Sequence, residues 1–454
     1  MEYKSNPLQT IMKQEIDAIT TAPAQVTAYN YKITVHTPNG DIPALMVNSY
    51  HVLRDYYTRF GDVISLQASF PLGEAVHDIL PNHGNLEITV VKIALLNGSN
   101  YSPQQNMGNK TERYTAKLYD VQNKLMEGKQ LELAYRSKAS TDNMITLDFQ
   151  LISPTLEVLR TVTFGSTLRN CNGMDAIRAI LLNSTENVNN ITVDEGYDSR
   201  VREHIHIPHN TRIVDLPKLV NRTVGGLYPT GFRYYFQKDK WYIYSPFNIK
   251  QFHKSFNTLT IVNMPKDKLP GIEVSFRKTG NQVIILATGD TAHIDNSEAQ
   301  TANLGNGVRF VDSRTIMDGF GEVINNKFVV DRSKNVTQVS NPNQQRKVNV
   351  TNQSNVRITS SYNLEYSELM RKAGSIVQCA WESSDVSLLY PGMPVRYLYM
   401  DGEQAKEIYG RLIADETKTR QSNRHPTQRI FVNDSVLTLF VSKSGVPDDI
   451  NTPV

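Results

Sequence analysis

Residues Gly225 to Phe247 read GGLYPTGFRYYFQKDKWYIYSPF, and the interpretation of this stretch decides the kind of chain this is. Tyr234, Tyr235 and Phe236 lead into the polar run Gln237-Lys238-Asp239-Lys240. Trp241, Tyr242, Ile243 and Tyr244 then resume the aromatic pattern. Aromatic and β-branched residues favour a pleated, partly buried surface, so a short polar gap between two such runs predicts a hairpin. Tyr235 and Tyr242 are candidates for opposed positions, the register being open until the turn geometry is known. Pro246 limits the second strand. With Tyr228, the six aromatic residues of the hairpin (Tyr234, Tyr235, Phe236, Trp241, Tyr242 and Tyr244) form the candidate set for packing or interface contacts.

Two helices are predicted just upstream. Leu216, Leu219 and Val220 share one face over Asp215 to Thr223, Pro217 suits the first turn, and Gly225-Gly226 ends the helix. Met174, Ile177, Ile180 and Leu181 give a second apolar face, with Asn172-Gly173 as its start and Asn183-Ser184 as its exit. Thr167 to Phe247 therefore reads as an α+β module.

The flanking sequence is strand-like. Thr27 to Val35, Asp62 to Phe70, Leu86 to Ile93, Tyr114 to Tyr119 and Met144 to Leu151 precede the module. Leu259 onward, Ile272 to Phe276 and Gln282 to Leu286 follow it, with Gly280-Asn281 as a turn. Ser375 to Ala380, Val395 to Tyr399, Tyr409 to Asp415 and Val436 to Val441 end the set. Many short strands separated by turns favour a barrel or sandwich over alternating α/β units. The organisation expected is an arm over 1–24 with a short helix from Met12 to Ile19, a β domain over 25–166, the α+β module over 167–258, a second β region over 259–372, final strands over 373–444, and a flexible tail over 445–454. Asp295 to Ser361, rich in Asn, Gln, Ser and Thr, reads as an insertion with short strands at Val308 to Phe310 and Lys327 to Val330.

At 454 residues and 51.3 kDa the chain exceeds one ordinary core, so several domains are expected. A formal charge of +3 argues against a dedicated nucleic-acid binder, whose affinity needs concentrated Lys and Arg. Cys171 and Cys379 suit two free buried thiols rather than a disulfide framework. MEYKSNPLQT lacks the apolar core of a signal peptide, and no run reaches the roughly 20 apolar residues that cross a bilayer. Synthesis in a reducing cytoplasm and no membrane insertion are the expectations.

Candidate chemistry is sparse. His204 and His206 of HIHIPHN would share one side of a strand and could converge on a metal with His209. They lack a carboxylate or cysteine companion at metal-site spacing, which favours surface or interface histidines. Asp194-Glu195 and Asp198 do not follow the calcium-loop pattern and read as a solvated acidic turn. Gly165-Ser166 is no nucleophile elbow, and Asn303 to Gly307 lacks the lysine of a phosphate loop. No catalytic, cofactor or metal residue is assigned, and no enzyme is expected. Arg411, Lys418, Arg420, Arg424 and Arg429, with Arg200 and Arg202, either line a passage, pair with acidic patches, or form a mixed charged surface. Arg411 and Arg420 join the interface candidates.

Three blocks carry a family resemblance: LPKLVNRTVGGLYPTGFRYYFQKDKWYIYSP at Leu216 to Pro246, PGMPVRYLY at Pro391 to Tyr399, and YGRLIADETKTR at Tyr409 to Arg420. In these the chain resembles the baseplate hub (tail-tube-cap) proteins of contractile-tailed bacteriophages. The resemblance implies a mainly β fold with an α+β module, comprising two small tube-type β-barrel domains plus an accessory domain. It implies a homotrimer that joins the hexameric tail tube protein to the central spike, with baseplate wedge proteins around it and transient passage of DNA. The location implied is the virion's tail baseplate, after assembly in the host bacterial cytoplasm. Another tail or neck adaptor is one alternative. A virion-associated glycan-binding protein or cell-wall hydrolase is another; glycan stacking would require Tyr234, Trp241 and Tyr244 to be exposed.

Overall fold

In the N-terminal half, period-2 alternation becomes strands whose inward side chains share one core. In Leu86-Ile88-Val90 and Leu147-Phe149-Leu151 every second residue is buried. The structure, a computed structural model, describes residues 7–21, 26–84, 86–96, 110–119, 143–249, 252–253, 255, 257–268, 275–289, 307–311, 322–324, 327–329, 336–340, 374–401, 404–421 and 430–442.

The first strands are β1 (Val26–Thr37), β2 (Gly40–Pro43), β3 (Met46–Asp55), β4 (Val63–Pro71), β5 (Leu86–Leu96), β6 (Lys110–Tyr119) and β7 (Met144–Ile152). The module contains β8 (Thr163–Cys171), β9 (Asn190–Val193), β10 (Arg202–Arg212), β11 (Arg233–Gln237) and β12 (Lys240–Tyr244). After it come β13 (Thr258–Met264), β14 (Phe276–Thr279), β15 (Gln282–Thr288), β16 (Gly307–Val311), β17 (Glu322–Ile324), β18 (Lys327–Val329) and β19 (Val336–Ser340). The last four are β20 (Gly374–Trp381), β21 (Pro394–Asp401), β22 (Gln404–Gln421) and β23 (Phe431–Ser442). The helices of two turns or more among the described residues are α1 (Pro7–Thr20), α2 (Pro154–Thr161), α3 (Gly173–Leu182) and α4 (Leu216–Thr223).

The expected pair of small tube-type β-barrel domains is corrected. Strands from both halves of the chain join one mixed 14-stranded sheet, in the order β13-β21-β22-β3-β4-β7-β6-β5-β1-β23-β20-β15-β14, with β2 on β1. The cause is β22. At 18 residues it is far longer than the usual five or six, and its start pairs with β21 while Ala414–Lys418 pair with β3. It also pairs with β23 from Gly410 to Gln421. One strand thus belongs to both halves, and its neighbour β23 also pairs with β1, so the two halves are continuous in one sheet. The fold is mainly β with an α+β module, built on a single large sheet.

Two strands went unforeseen near the start. β3 carries Asn48, Ser49, His51 and Arg54, and a register shift between Val47 and Ser49 breaks the alternation that would have revealed it. The other, β2, is short and pairs only with β1. Helix α1 extends the expected short helix at both ends. It lays Met12 and Ile19 against Val262, Ile284, Leu286 and Leu398 of the sheet.

The module forms around α2, α3 and α4, with their apolar faces in one cluster that includes Leu156, Leu159, Ile177, Leu181, Leu216 and Val220. Asn172 caps α3 by accepting a 2.8 Å hydrogen bond from the Asp175 amide, where the sequence placed the helix start. Strands β8 and β10 make an antiparallel ribbon, and β11-β12-β9 a three-stranded sheet. In the Asn-rich region, β16 pairs with β19 and β17 with β18. The excursion at 97–108, most of the strand proposed at 272–276 and the tail at 445–454 lie outside the described residues.

Candidate functional site

The hairpin β11–β12 is buried on both faces. Its register is Tyr234↔Ile243, Tyr235↔Tyr242 and Phe236↔Trp241, around a two-residue turn. Lys238 and Asp239 both adopt positive φ, 52° and 56°, the conformation of a type I′ turn. The polar gap is therefore two residues, and Gln237 and Lys240 belong to the strands. Strand pleating divides the aromatic residues between two cores. Phe236, Trp241 and Ile243, with Tyr234 alongside, pack into the helical module. Tyr235 and Tyr244, with Tyr242 alongside, pack instead with Tyr56, Leu412, Trp381 and other residues of the large sheet. Phe236 meets Trp241 at 5.0 Å between ring centroids, and Tyr235 meets Tyr56 edge-on at 4.8 Å. The hairpin is a weld between module and sheet. Trp241 and Tyr244 are buried and Tyr234 is half-buried, which removes the exposed platform that sugar stacking requires.

Two buried ionic clusters flank the weld. In the first, Arg54 of β3 donates to Asp62 and to Asp415, each at 3.0 Å. The Tyr56 hydroxyl donates to the other oxygen of Asp415, and the Tyr235 hydroxyl donates to Asp62 at 2.9 Å. Asp415 is 0% exposed. Burial raises its pKa, and Arg54 and the Tyr56 hydroxyl only partly offset that rise. Burial opposes the charge on Arg54, but Asp415 and Asp62 outweigh it and hold the guanidinium ionised. Burial first and Asp62 second push the Tyr235 hydroxyl far above its usual range, so it stays a donor.

The second cluster centres on Arg411, only 1% exposed. Its guanidinium donates to Asp194 at 2.6 Å, to the Gly392 carbonyl at 2.6 Å and to the Asn248 carbonyl at 3.0 Å. Asp194 also accepts from the Ser245 amide at 3.3 Å, and its carbonyl accepts from the Tyr228 hydroxyl at 2.7 Å. Gly392 holds φ at +70°, and a Cβ there would strike the Tyr244 ring. Tyr242 stacks on Tyr390 at 6.0 Å.

The remaining charged candidates are dispersed. Arg420 is exposed and donates to Asp434 at 2.8 Å, while Lys418 pairs with Glu416 at 2.9 Å. Arg424 and Arg429 lie outside the described residues. Arg200 and Arg202 both reach Asp198, and the charge on Asp198 is favoured despite partial burial. Asp194, read in the sequence as part of a solvated turn, is instead the partner of Arg411. His204, His206 and His209 are exposed on β10, with His206 3.0 Å from the Thr167 hydroxyl. No group of three or more His, Cys, Asp or Glu is placed to hold a metal among the described residues. Cys379 is buried, which pushes its thiol up to about 12, but Cys171 is only partly covered. Among the described residues no helix is long and apolar enough to cross a membrane.

One feature escaped the sequence reading altogether. Beneath the hairpin turn, the sheet interior changes from apolar to charged. The inward row Leu86-Ile88-Val90 continues to Lys92, the row Leu118-Ala116-Tyr114 continues to Glu112 and Lys110, and Val52 is followed by Arg54. Arg54, Lys92, Lys110 and Glu112, with Lys238 of the turn, border a cavity of 390 Å³. The readable signal was a lysine standing in core register on β5.

No family model matches the chain, and no curated protein does so. Among solved structures, the fold is similar to the 43 kDa tail protein of prophage MuSo2 from Shewanella oneidensis. That likeness has a TM-score of 0.47 at 8% identity and covers 90% of this chain and 98% of that one. It is similar also to a tail protein from Neisseria meningitidis, at TM-score 0.46 and 8% identity, over 90% of this chain and 96% of that one. A prophage tail protein from Listeria monocytogenes gives TM-score 0.38 at 7% identity, over 90% and 94%. These are similarities of overall fold and assign no role to individual residues.

Proposed function

We propose that this chain is a non-catalytic structural subunit of a phage tail, acting as the trimeric baseplate hub between tail tube and central spike. One observation carries the reading beyond the sequence resemblance. The first hub-like block lies far from the other two in sequence, yet all three meet in a single junction. Tyr244 of the first block lies against Gly392 of the second, and Arg411 of the third binds the Gly392 carbonyl. Asp194 completes the arrangement from within the module.

A part that bears load between partners needs domains that do not slip, and buried aromatic residues with hydrogen-bonded guanidinium groups meet that requirement. The module is tied to the sheet through two ionic clusters and a hairpin buried on both sides. A subunit of this kind presents the sheet to one partner and the module to others. Closed rings need complementary surfaces held in fixed relation, which this junction supplies.

Native mass measurement of the purified chain tests the oligomer. The expected result is a species three times 51.3 kDa, alone or once tube and spike proteins are added. A chain that stays monomeric with both present sinks the proposal.

A further inference from the structure

We propose that the charged end of the sheet interior is a binding site for a phosphate-type oxyanion, with Lys92 as its central cation. Lys92 occupies an inward position on β5, opposite Tyr31 of β1 and Lys110 of β6. Its ammonium sits 3.8 Å from the centroid of the Tyr29 ring. It makes no hydrogen bond or ion pair among the described residues. The nearest acid on β6, Glu112, is engaged by the Tyr114 hydroxyl at 2.6 Å. An ammonium in core register with no acceptor is costly unless an anion or water completes it.

Other cations converge on the same space. Lys110, Arg113 and Lys238 border the cavity from β6 and from the hairpin turn, and the Lys238 ammonium donates to the Ser387 carbonyl at 3.2 Å. Arg54 faces it too, with its charge already matched by Asp62 and Asp415. Three strands and a turn thus supply cations that are not matched by ion pairs at Lys92 and Lys238. The exposed residues Thr111 to Arg113 form the mouth. At 390 Å³ the cavity is large enough for a phosphate ion or for a small organic phosphate, and Tyr31 and Tyr50 offer aromatic wall to the latter. This site is independent of the assembly role proposed above.

Thermal unfolding and titration calorimetry on the full chain, with sodium phosphate against sodium chloride at equal ionic strength and pH 7, test the inference. AMP serves as a second arm, to separate a free-ion site from one that takes an organic phosphate. The expected result is a phosphate-specific rise in unfolding temperature and saturable heat, both lost or weakened at least tenfold in Lys92→Met. Lys238→Gln, on an exposed turn, is expected to weaken binding without loss of fold, and it stands as the test if Lys92→Met does not fold. Lys278→Met, away from the cavity, is the control that keeps binding. Tighter binding of AMP assigns an organic ligand, and equal or weaker binding assigns the free ion. No phosphate-specific effect in the unmodified chain overturns the proposal, as does full retention of binding in Lys92→Met or, where that variant does not fold, in Lys238→Gln.

Discussion

Arg411 shows how much can depend on a single side chain. It bonds to three separate segments, and its removal takes the guanidinium away from Asp194 and from the Gly392 and Asn248 carbonyls. Breaking a buried charge pair by deleting one partner costs about 3–5 kcal/mol, so Arg411→Met should lose stability on that scale in denaturant titration. A loss no larger than for an exposed arginine would mean that the Arg411 cluster does not hold module and sheet together. Lys92 makes a prediction of the opposite kind. Burial lowers its pKa from 10.5 to about 8; Asp385 and Glu112 oppose the shift, and Lys110 and Arg54 add to it. The unfolded chain therefore holds this proton more tightly than the folded one between those values, and stability from this group rises with pH across that window. In buffer free of oxyanions, Lys92→Met should be more stable than the unmodified protein at pH 7, and the gap should narrow by pH 10. Taking the difference removes the opposing contribution of the buried tyrosines. Neither role was visible in sequence. Arg411 stood among basic neighbours that suggested a charged loop, and Asp194 stood in an apparent acidic turn. Partners brought together by long-range pairing leave no local spacing to read.

At the scale of elements, the hairpin was largely legible. Two aromatic runs around a polar gap fixed its place, and Tyr235 does oppose Tyr242. The faces were not legible, because both are aromatic and alternation alone cannot separate two cores from one core and a solvent face. The turn itself holds two non-glycine residues at positive φ, Lys238 and Asp239. Asp239→Gly should relieve that strain and raise stability by about 0.5–1 kcal/mol, read from the denaturant midpoint. Gly392 gives the reverse case. Gly392→Ala forces both an unfavourable φ and a clash with Tyr244, so a loss above about 1 kcal/mol is expected, with altered near-ultraviolet dichroism from the tyrosines. The helices α3 and α4 followed from their 3.6-residue periodicity, since local contacts decide them. The ribbon β8–β10 faces solvent over much of its length and so lacks the apolar rhythm that marks a strand.

At the scale of the molecule, the sequence read correctly as mainly β around an α+β module, but not as one sheet. The halves are joined by β22, whose residues pair with β3 some 360 positions away, as in the Arg54–Asp415 contact with a separation of 361, and by the pairing of β23 with β1. Nothing in a strand's own composition reveals how many neighbours it will have. The consequence is mechanical: the two halves share backbone hydrogen bonds, so they should unfold as a unit rather than one after the other. Native-state hydrogen exchange should give β3, β22 and β23 similar, near-global protection. This joined body is proposed to work at the junction of tail tube and spike. A density map of the assembled tail containing this chain tests it most directly. Three copies in a ring at the tip of the tail tube, in contact with the spike, are predicted. A location away from the tube–spike junction, or a copy number other than three, would contradict it.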